Sequence, residues 1–294
     1  MATGSAPIEL AALTLILALI GGLMPILSRI KEDRDILRRI TGVASGILLA
    51  SAILVVIPEG FDLAMGDHDE ESHEEEASHQ EEESGHQEEE GLEGLIIGGA
   101  ILAGFMMMLI LEGSGIGHAV HEEHHDHHGE HGHEHVHHSN SPWVIVLGLS
   151  LHSAADGLAI GSAAAGSSEA VTAIVALAVL IHKVPAAFSL GVFSAHERSE
   201  RNETIRDVVL FSIATPVMII VSFYALEGLD EHLIALAMLF AGGTFLYVAT
   251  VDTLPDIHNP ETGREAMLNV LMGVVIMVAI LFGADAAGLI EHGH

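Results

Sequence analysis

The sequence predicts an all-α membrane protein with eight transmembrane helices. Half of the 294 residues are apolar, although 41 acidic residues give the chain a formal charge of -31. A soluble acidic protein rarely combines these properties, and here the acidic residues crowd into the connections between long apolar stretches. A helix needs ~20 apolar residues to cross ~30 Å of hydrocarbon. Eight stretches reach that length: residues 8–28, 40–63, 92–113, 142–165, 169–195, 206–226, 232–254 and 267–289.

Span one is not expected to be a signal peptide, because no basic residue precedes it and it is as long as a full span. Span three is rich in glycine, which suits close helix packing in lipid. Nine of the ten Lys and Arg residues lie in the connections after spans one, five and seven, which share one side of the membrane. The positive-inside rule makes that side the cytoplasm. Both termini of this multi-pass protein are therefore expected to be extracytoplasmic, at the cell membrane if the source is prokaryotic.

Two connections within this single transmembrane domain are of low complexity. Residues 67–90 are acidic, contain histidine and are expected outside the cell, whereas residues 118–138 are rich in histidine and are expected in the cytoplasm. Neither can bury enough apolar surface to fold alone, so both are predicted to be mobile. The second loop could bind metal in many geometries or serve solvation only. Its histidines are His118, His121, His124, His125, His127, His128, His131, His133, His135, His137 and His138.

Span four carries a candidate metal site. It reads LGLSLHSAADGLAIGSAAAG, which places His152 and Asp156 on one helical face near the bilayer centre. An ionised carboxylate at that depth costs several kcal/mol unless it is paired, and an imidazole and a cation are suitable partners. Since the chain has no cysteine, a metal must be held by imidazole, carboxylate or weaker ligands. A His–Asp pair that only joins helices by hydrogen bonds is the alternative.

Span five supplies a second buried histidine on the neighbouring antiparallel helix. The segment LAVLIHKVPAAFSLG contains His182 and Lys183 at a comparable depth. Two imidazoles and the Asp156 carboxylate would suit zinc, and also manganese, iron or cadmium, and would leave positions for exchange. Lys183 could take the place of a second metal ion, or it could pair with a carboxylate for structure or snorkel to a polar cavity.

Acidic residues near the span ends are candidates for a cation pathway. Glu59 lies near the outer end of span two, and Asp252 and Asp256 lie near the inner end of span seven. Solvated residues at span boundaries are the alternative interpretation.

The chain resembles the Zrt-, Irt-like protein (ZIP) family of metal transporters over essentially its whole length. HSAADGLAIG in span four is similar to the family's HNxxDGxAIG, and HKVPAAF with HERSERNETIRD and AGGTFLYVATVDTLP is similar to the subgroup with HKxPAAF in span five. The resemblance implies that His152, Ser153, Asp156 and His182 are metal ligands. The family's span-five acids correspond here to Lys183, Ala186 and Ala187, so a single-ion site is expected.

The resemblance also implies a two-bundle fold, with spans one, four, five and six against spans two, three, seven and eight. It further implies elevator-like import of metal into the cytoplasm, often as a dimer. A cation-diffusion exporter, a membrane metal sensor or buffer and an intramembrane metal hydrolase are the alternatives, although no HExxH motif is present. We expect no enzymatic activity, no organic cofactor and no nucleic-acid partner. Lipid and divalent metal ions are the expected partners.

Overall fold

The computed structural model describes residues 7–27, 34–65, 83–114, 142–251, 257–258, 260 and 262–286. Within these residues helix is the regular secondary structure, and eight helices are long and apolar enough to cross a membrane. The predicted all-α membrane fold is therefore confirmed.

The eight spans follow one another in chain order. Span two consists of an α-helix (Arg34–Ser51), a π-helical turn (Ala52–Val56) and a further α-helix (Ile57–Met65). The others are span one (Ile8–Leu27), span three (Glu83–Gly113), span four (Pro142–Gly166), span five (Glu169–Glu197), span six (Arg201–Leu226), span seven (Glu231–Val251) and span eight (Gly263–Ala286).

Span three is longer than predicted. The sequence predicts a mobile acidic loop over residues 67–90, but the helix begins at Glu83, so residues 83–90 are helical. Glutamate and glutamine are good helix formers, and extending a helix that its apolar residues have already nucleated costs little. The remaining residues of that loop, 67–82, and the histidine-rich loop 118–138 lie outside the described residues.

Glycine allows neighbouring spans to approach closely. An added Cβ at Gly104 of span three would lie 2.0 Å from the Phe240 carbonyl oxygen of span seven. Gly46 of span two and Gly273 of span eight approach each other in the same way, with the Gly273 Cβ position 3.0 Å from the Gly46 Cα. Small residues at such positions allow van der Waals contact between backbones, which helps to hold membrane helices together.

Helix contacts connect the spans into two overlapping sets. Span six packs on spans one, four and five, and span one also packs on span five. Span seven packs on spans two and three, and span two packs on span eight. Contacts between spans four and seven, and between spans two and five, join the sets. Because these joining contacts are extensive, the division into two bundles stays a prediction.

Buried polar side chains lie among the apolar residues of the interior, and apolar side chains also cover the outside of the fold. Large apolar residues such as Leu102, Val275 and Phe282 are exposed, as expected for surfaces in contact with lipid. In contrast, Asp156 and Lys183 are fully buried within spans four and five. Buried ionisable groups are costly in a membrane and indicate a functional site.

Candidate metal centre

Spans four and five are antiparallel neighbours joined by a very short link. Only Ser167 and Ser168 separate them, and the Ser168 hydroxyl caps span five by accepting from the Val171 amide. His152 and His182 each lie about 20 Å from the linked ends of their helices, at 1.5 Å rise per residue. The short link therefore brings the two histidines to the same depth.

The two histidines converge on one carboxylate. Asp156 Oδ1 lies 3.2 Å from His182 Nε2 and 3.8 Å from His152 Nε2. One ligand atom from each of the three residues lies within 4.8 Å of the others, and all three side chains are buried. Ligands bound at about 2.0–2.1 Å in a tetrahedral zinc site are separated by about 3.3 Å. Small side-chain adjustments would therefore allow one cation to contact all three.

Span five and span seven fix the orientation of the His182 ring. Its Nδ1 lies 3.0 Å from the Ala178 carbonyl oxygen. When Nδ1–H donates to that carbonyl, Nε2 is left with its lone pair for a metal ion, as in other histidine ligands held by an outer hydrogen bond. The Phe245 ring of span seven packs against the same imidazole, with centroids 6.1 Å apart in an edge-to-face arrangement. The His182 ring is thus held by a hydrogen bond within span five and by an aromatic contact from span seven.

Lys183 occupies the other side of the Asp156 carboxylate. Its Nζ donates to Asp156 Oδ2 at 3.0 Å and to the Ser153 hydroxyl at 2.5 Å. The ammonium also lies 4.4 Å from the centroid of the Phe211 ring, which is close enough for a favourable cation–π contact. The two oxygens of Asp156 therefore face different partners: Oδ1 faces the imidazoles and Oδ2 faces the ammonium.

Ser153 lies beside the three-residue cluster and faces span six. Its hydroxyl lies 2.9 Å from both the Phe211 carbonyl oxygen and the Thr215 hydroxyl, in addition to accepting from Lys183. The Thr215 hydroxyl also donates to the Ser153 carbonyl oxygen at 2.7 Å. A hydroxyl has one proton and two lone pairs. In this arrangement Ser153 holds Lys183 and joins span four to span six.

The predicted pathway residues are described only in part. Glu59 is partly exposed and lies near the Ser167 hydroxyl in the link between spans four and five. Glu59 of span two is therefore near the carboxyl-terminal end of span four, whereas Trp143 is at the amino-terminal end of that span. Asp252, Asp256 and the eleven histidines of the 118–138 loop lie outside the described residues.

Comparison with known proteins identifies the family. The family model for the ZIP zinc transporter matches residues 6–141 and 113–281. The chain is 32% identical over 293 residues to zinc transporter ZIP9-B of Xenopus laevis, covering 94% of this chain and 93% of that protein. It is 30% identical over 284 residues to zinc transporter ZIP9 of Xenopus tropicalis, with 89% and 90% covered. The chain belongs to the ZIP zinc transporter family.

ZIP membership agrees with the eight membrane-crossing helices, and the protein is an integral multi-pass membrane protein. The similarity also reaches zinc transporter ZIP1 of Takifugu rubripes, at 29% identity over 316 residues, covering 94% of this chain and 97% of that one. The predicted membership of the ZIP family is therefore confirmed.

Several residues around this ZIP site were not identified from the sequence. Phe211 and Thr215 of span six contact Lys183 and Ser153, and Phe245 of span seven contacts His182. A partial signal was available: Asp207, Phe211 and Thr215 recur at intervals of four and therefore share one face of span six. Periodicity alone does not identify the helix that this face contacts.

Proposed function

We propose that this protein transports divalent metal, with zinc as the preferred ion, from outside into the cytoplasm through the His152, Asp156 and His182 site. The observation that carries the proposal is the convergence of two imidazole nitrogens and one carboxylate oxygen, all buried, within 4.8 Å on adjacent helices. Nitrogen and oxygen donors in this number suit zinc and other borderline cations. The names of the ZIP relatives support zinc as the cargo.

Three protein ligands suit a carrier better than a permanent metal site. Structural zinc sites are closed by four protein ligands, whereas sites with three keep a position for water or exchange. A cation held by His152, Asp156 and His182 would retain such a position. The proposed cargo can therefore enter and leave without the protein unfolding around it.

Lys183 restricts the site to one ion in this proposal. Its ammonium holds Asp156 Oδ2 at 3.0 Å, so Oδ1 alone faces the imidazoles. A second dication beside Oδ2 would have to displace a buried positive charge, and repulsion between such charges is strong in a low-dielectric interior. Lys183 thus takes the place of a second metal ion and keeps Asp156 a monodentate ligand.

The proposed mechanism moves spans one, four, five and six as one body against spans two, three, seven and eight. Helix contacts within each set favour this division, and the contacts between spans four and seven and between spans two and five would have to change during the movement. In this scheme Glu59 lies at the entrance, Asp252 and Asp256 lie at the exit, and the cytoplasmic histidines of residues 118–138 receive metal. Extracytoplasmic termini and a homodimer complete the proposal.

Zinc uptake by the purified protein in liposomes tests this function. Wild-type protein is expected to carry zinc inward, and His152→Ala or Asp156→Ala is expected to abolish that flux because each removes a ligand. Competition by manganese, iron and cadmium in the same assay measures the preferred ion. Zinc binding without flux in the wild type would contradict transport and would identify a metal sensor or buffer instead.

A further inference from the structure

Span six carries a continuous row of contacts to spans four and five. Asp207, Phe211 and Thr215 lie on one face of span six, and none of the three is exposed. Phe211 and Thr215 contact Lys183 and Ser153 beside the metal ligands. We call these three residues the span-six spine.

Asp207, the first residue of the spine, forms a buried ion pair with Arg198. Asp207 Oδ2 accepts from Arg198 Nε at 2.7 Å and from the Ser194 hydroxyl at 2.7 Å. Arg198 Nη2 also donates to Asp207 Oδ1 at 3.3 Å. The Arg198 side chain is 8% exposed and the Asp207 side chain is 0% exposed. These bonds connect the end of span five to the beginning of span six.

Trp143 adds span four to the same cluster. The Arg206 guanidinium lies 4.2 Å, and the Arg198 guanidinium 5.0 Å, from the centroid of the Trp143 ring. Both arginines are therefore within the range of a cation–π contact with a residue in the first turn of span four. The ends of spans four, five and six are joined through one tryptophan, two arginines and one aspartate.

We propose that the span-six spine, clamped by the Asp207–Arg198 pair, positions the metal ligands from the side opposite the cation. The physical reason is that Ser153 directly follows His152, and Lys183 directly follows His182. Contacts of Ser153 and Lys183 with the spine fix the backbone on which each histidine is carried. This inference rests on the proposed function, since it assigns the spine to the same metal site.

The test uses the full-length purified protein and measures its affinity for zinc by titration calorimetry. Thr215→Val deletes the hydroxyl that bonds across to Ser153 while keeping the side-chain shape. Affinity is expected to fall by up to about tenfold, the lower end of the roughly 10–100-fold loss caused by removing a direct partner of a metal ligand, because Thr215 acts indirectly through Ser153. Thr215→Ser keeps the hydroxyl and should restore wild-type affinity.

Ser212→Ala is the matched control. Its hydroxyl is buried on span six as well, but it bonds to the Val208 carbonyl oxygen of its own helix at 2.7 Å. This variant should bind zinc like the wild type. Asp207→Asn tests the clamp and should also weaken zinc binding. If that variant does not fold, the threonine series still decides the outcome.

Failure of the spine and failure of the proposed function have different signatures. If Thr215→Val binds zinc with the same affinity as the wild type, the inference about the spine is overturned and the proposed transport site is unaffected. Equal losses in Thr215→Val and Ser212→Ala would also overturn it, because they would show a general packing effect. A wild-type protein that binds no zinc would refute the proposed function itself.

Discussion

Lys183 and Asp156 form a fully buried ion pair, with Nζ 3.0 Å from Oδ2, directly behind the carboxylate oxygen that faces two imidazoles. The pair neutralises a carboxylate that would otherwise be costly at this depth in a membrane. It also leaves the cation side of Asp156 with one oxygen. Lys183 therefore sets both the net charge of this cluster and the number of Asp156 oxygens that face the two imidazoles.

Lys183→Glu should raise the metal content of the protein from one to two ions per chain. The substitution replaces the ammonium with a second carboxylate beside Asp156, so that oxygen ligands and negative charge become available where a cation was excluded. Metal bound to the purified variant, measured by mass spectrometry of the elements after zinc loading, checks the stoichiometry.

Lys183→Gln serves as the control for that experiment. It removes the charge without adding a carboxylate and should retain a single ion. A Lys183→Glu protein that folds and still binds one ion would show that the lysine does not replace a second metal.

Asp207→Asn should destabilise the protein far more than Glu265→Gln. Both changes remove the acid of an ion pair in which the arginine Nε lies 2.7 Å from a carboxylate oxygen. Breaking a buried pair leaves an uncompensated charge and costs about 3–5 kcal/mol, whereas an exposed pair contributes about 0–1 kcal/mol. The Arg39–Glu265 pair is 61% and 48% exposed. Denaturant unfolding in mixed micelles measures the free energy of unfolding of both variants. Equal losses would show that the buried Asp207–Arg198 pair stabilises the protein no more than an exposed ion pair does.

Gly157→Ala should separate spans four and six and lower stability by about 1–3 kcal/mol, the usual cost of overpacking. An added Cβ would lie 2.4 Å from the Thr215 carbonyl oxygen and 2.7 Å from the Met218 Cβ. Because Gly157 directly follows Asp156, zinc affinity should fall as well. Thermal unfolding and zinc titration of the variant check the two effects.

Gly98→Ala is the companion substitution, since its added Cβ would meet nothing within 4 Å. Its stability should stay the same or rise by up to about 1 kcal/mol, because alanine has a higher helix propensity than glycine. Because helix propensity favours alanine, a loss as large as that of Gly157→Ala would show that the cost of the added methyl group is not specific to the contact between spans four and six.

A disulfide between spans four and seven should block zinc flux if the two sets of spans move against each other. In Gly166→Cys with Ile234→Cys the two Cβ atoms would lie 3.4 Å apart, near the spacing of about 3.5–4.5 Å found in disulfides. The chain has no cysteine of its own, so oxidation affects only the introduced pair. Reduction of the disulfide should restore flux, which would show that the double variant is folded.

Gly21→Cys with Ala187→Cys is the matched pair within one set. These Cβ atoms would lie 3.3 Å apart between spans one and five, which are proposed to move together. The added Gly21 Cβ would also lie 2.7 Å from the Val184 carbonyl oxygen, so flux is compared between the oxidised and reduced forms of this variant, and the two should be equal. Full flux through the oxidised span-four and span-seven pair would exclude relative sliding of the two sets at that contact.

Much of the site could be predicted from the sequence because it depends on local spacing. His152 and Asp156 are four residues apart on a helix, so they share a face, and the short connection to span five predicts an antiparallel neighbour that carries His182. The structure places ligand atoms of these three residues within 4.8 Å of one another, and their role as metal ligands stays a prediction. Ser153 was proposed as a ligand on the basis of family resemblance, but its hydroxyl is engaged by Lys183 and span six.

The sequence by itself determined the number of spans, their apolar character and the depth of the buried polar residues, because the thickness of a bilayer and the helical period impose these directly. Only the tertiary structure decided which Asp156 oxygen faces the imidazoles, that Phe245 packs on His182, and that span six supports the site. Those features depend on which faces of different helices meet. In lipid that choice rests on close packing and a few polar contacts, for which hydropathy carries no signal.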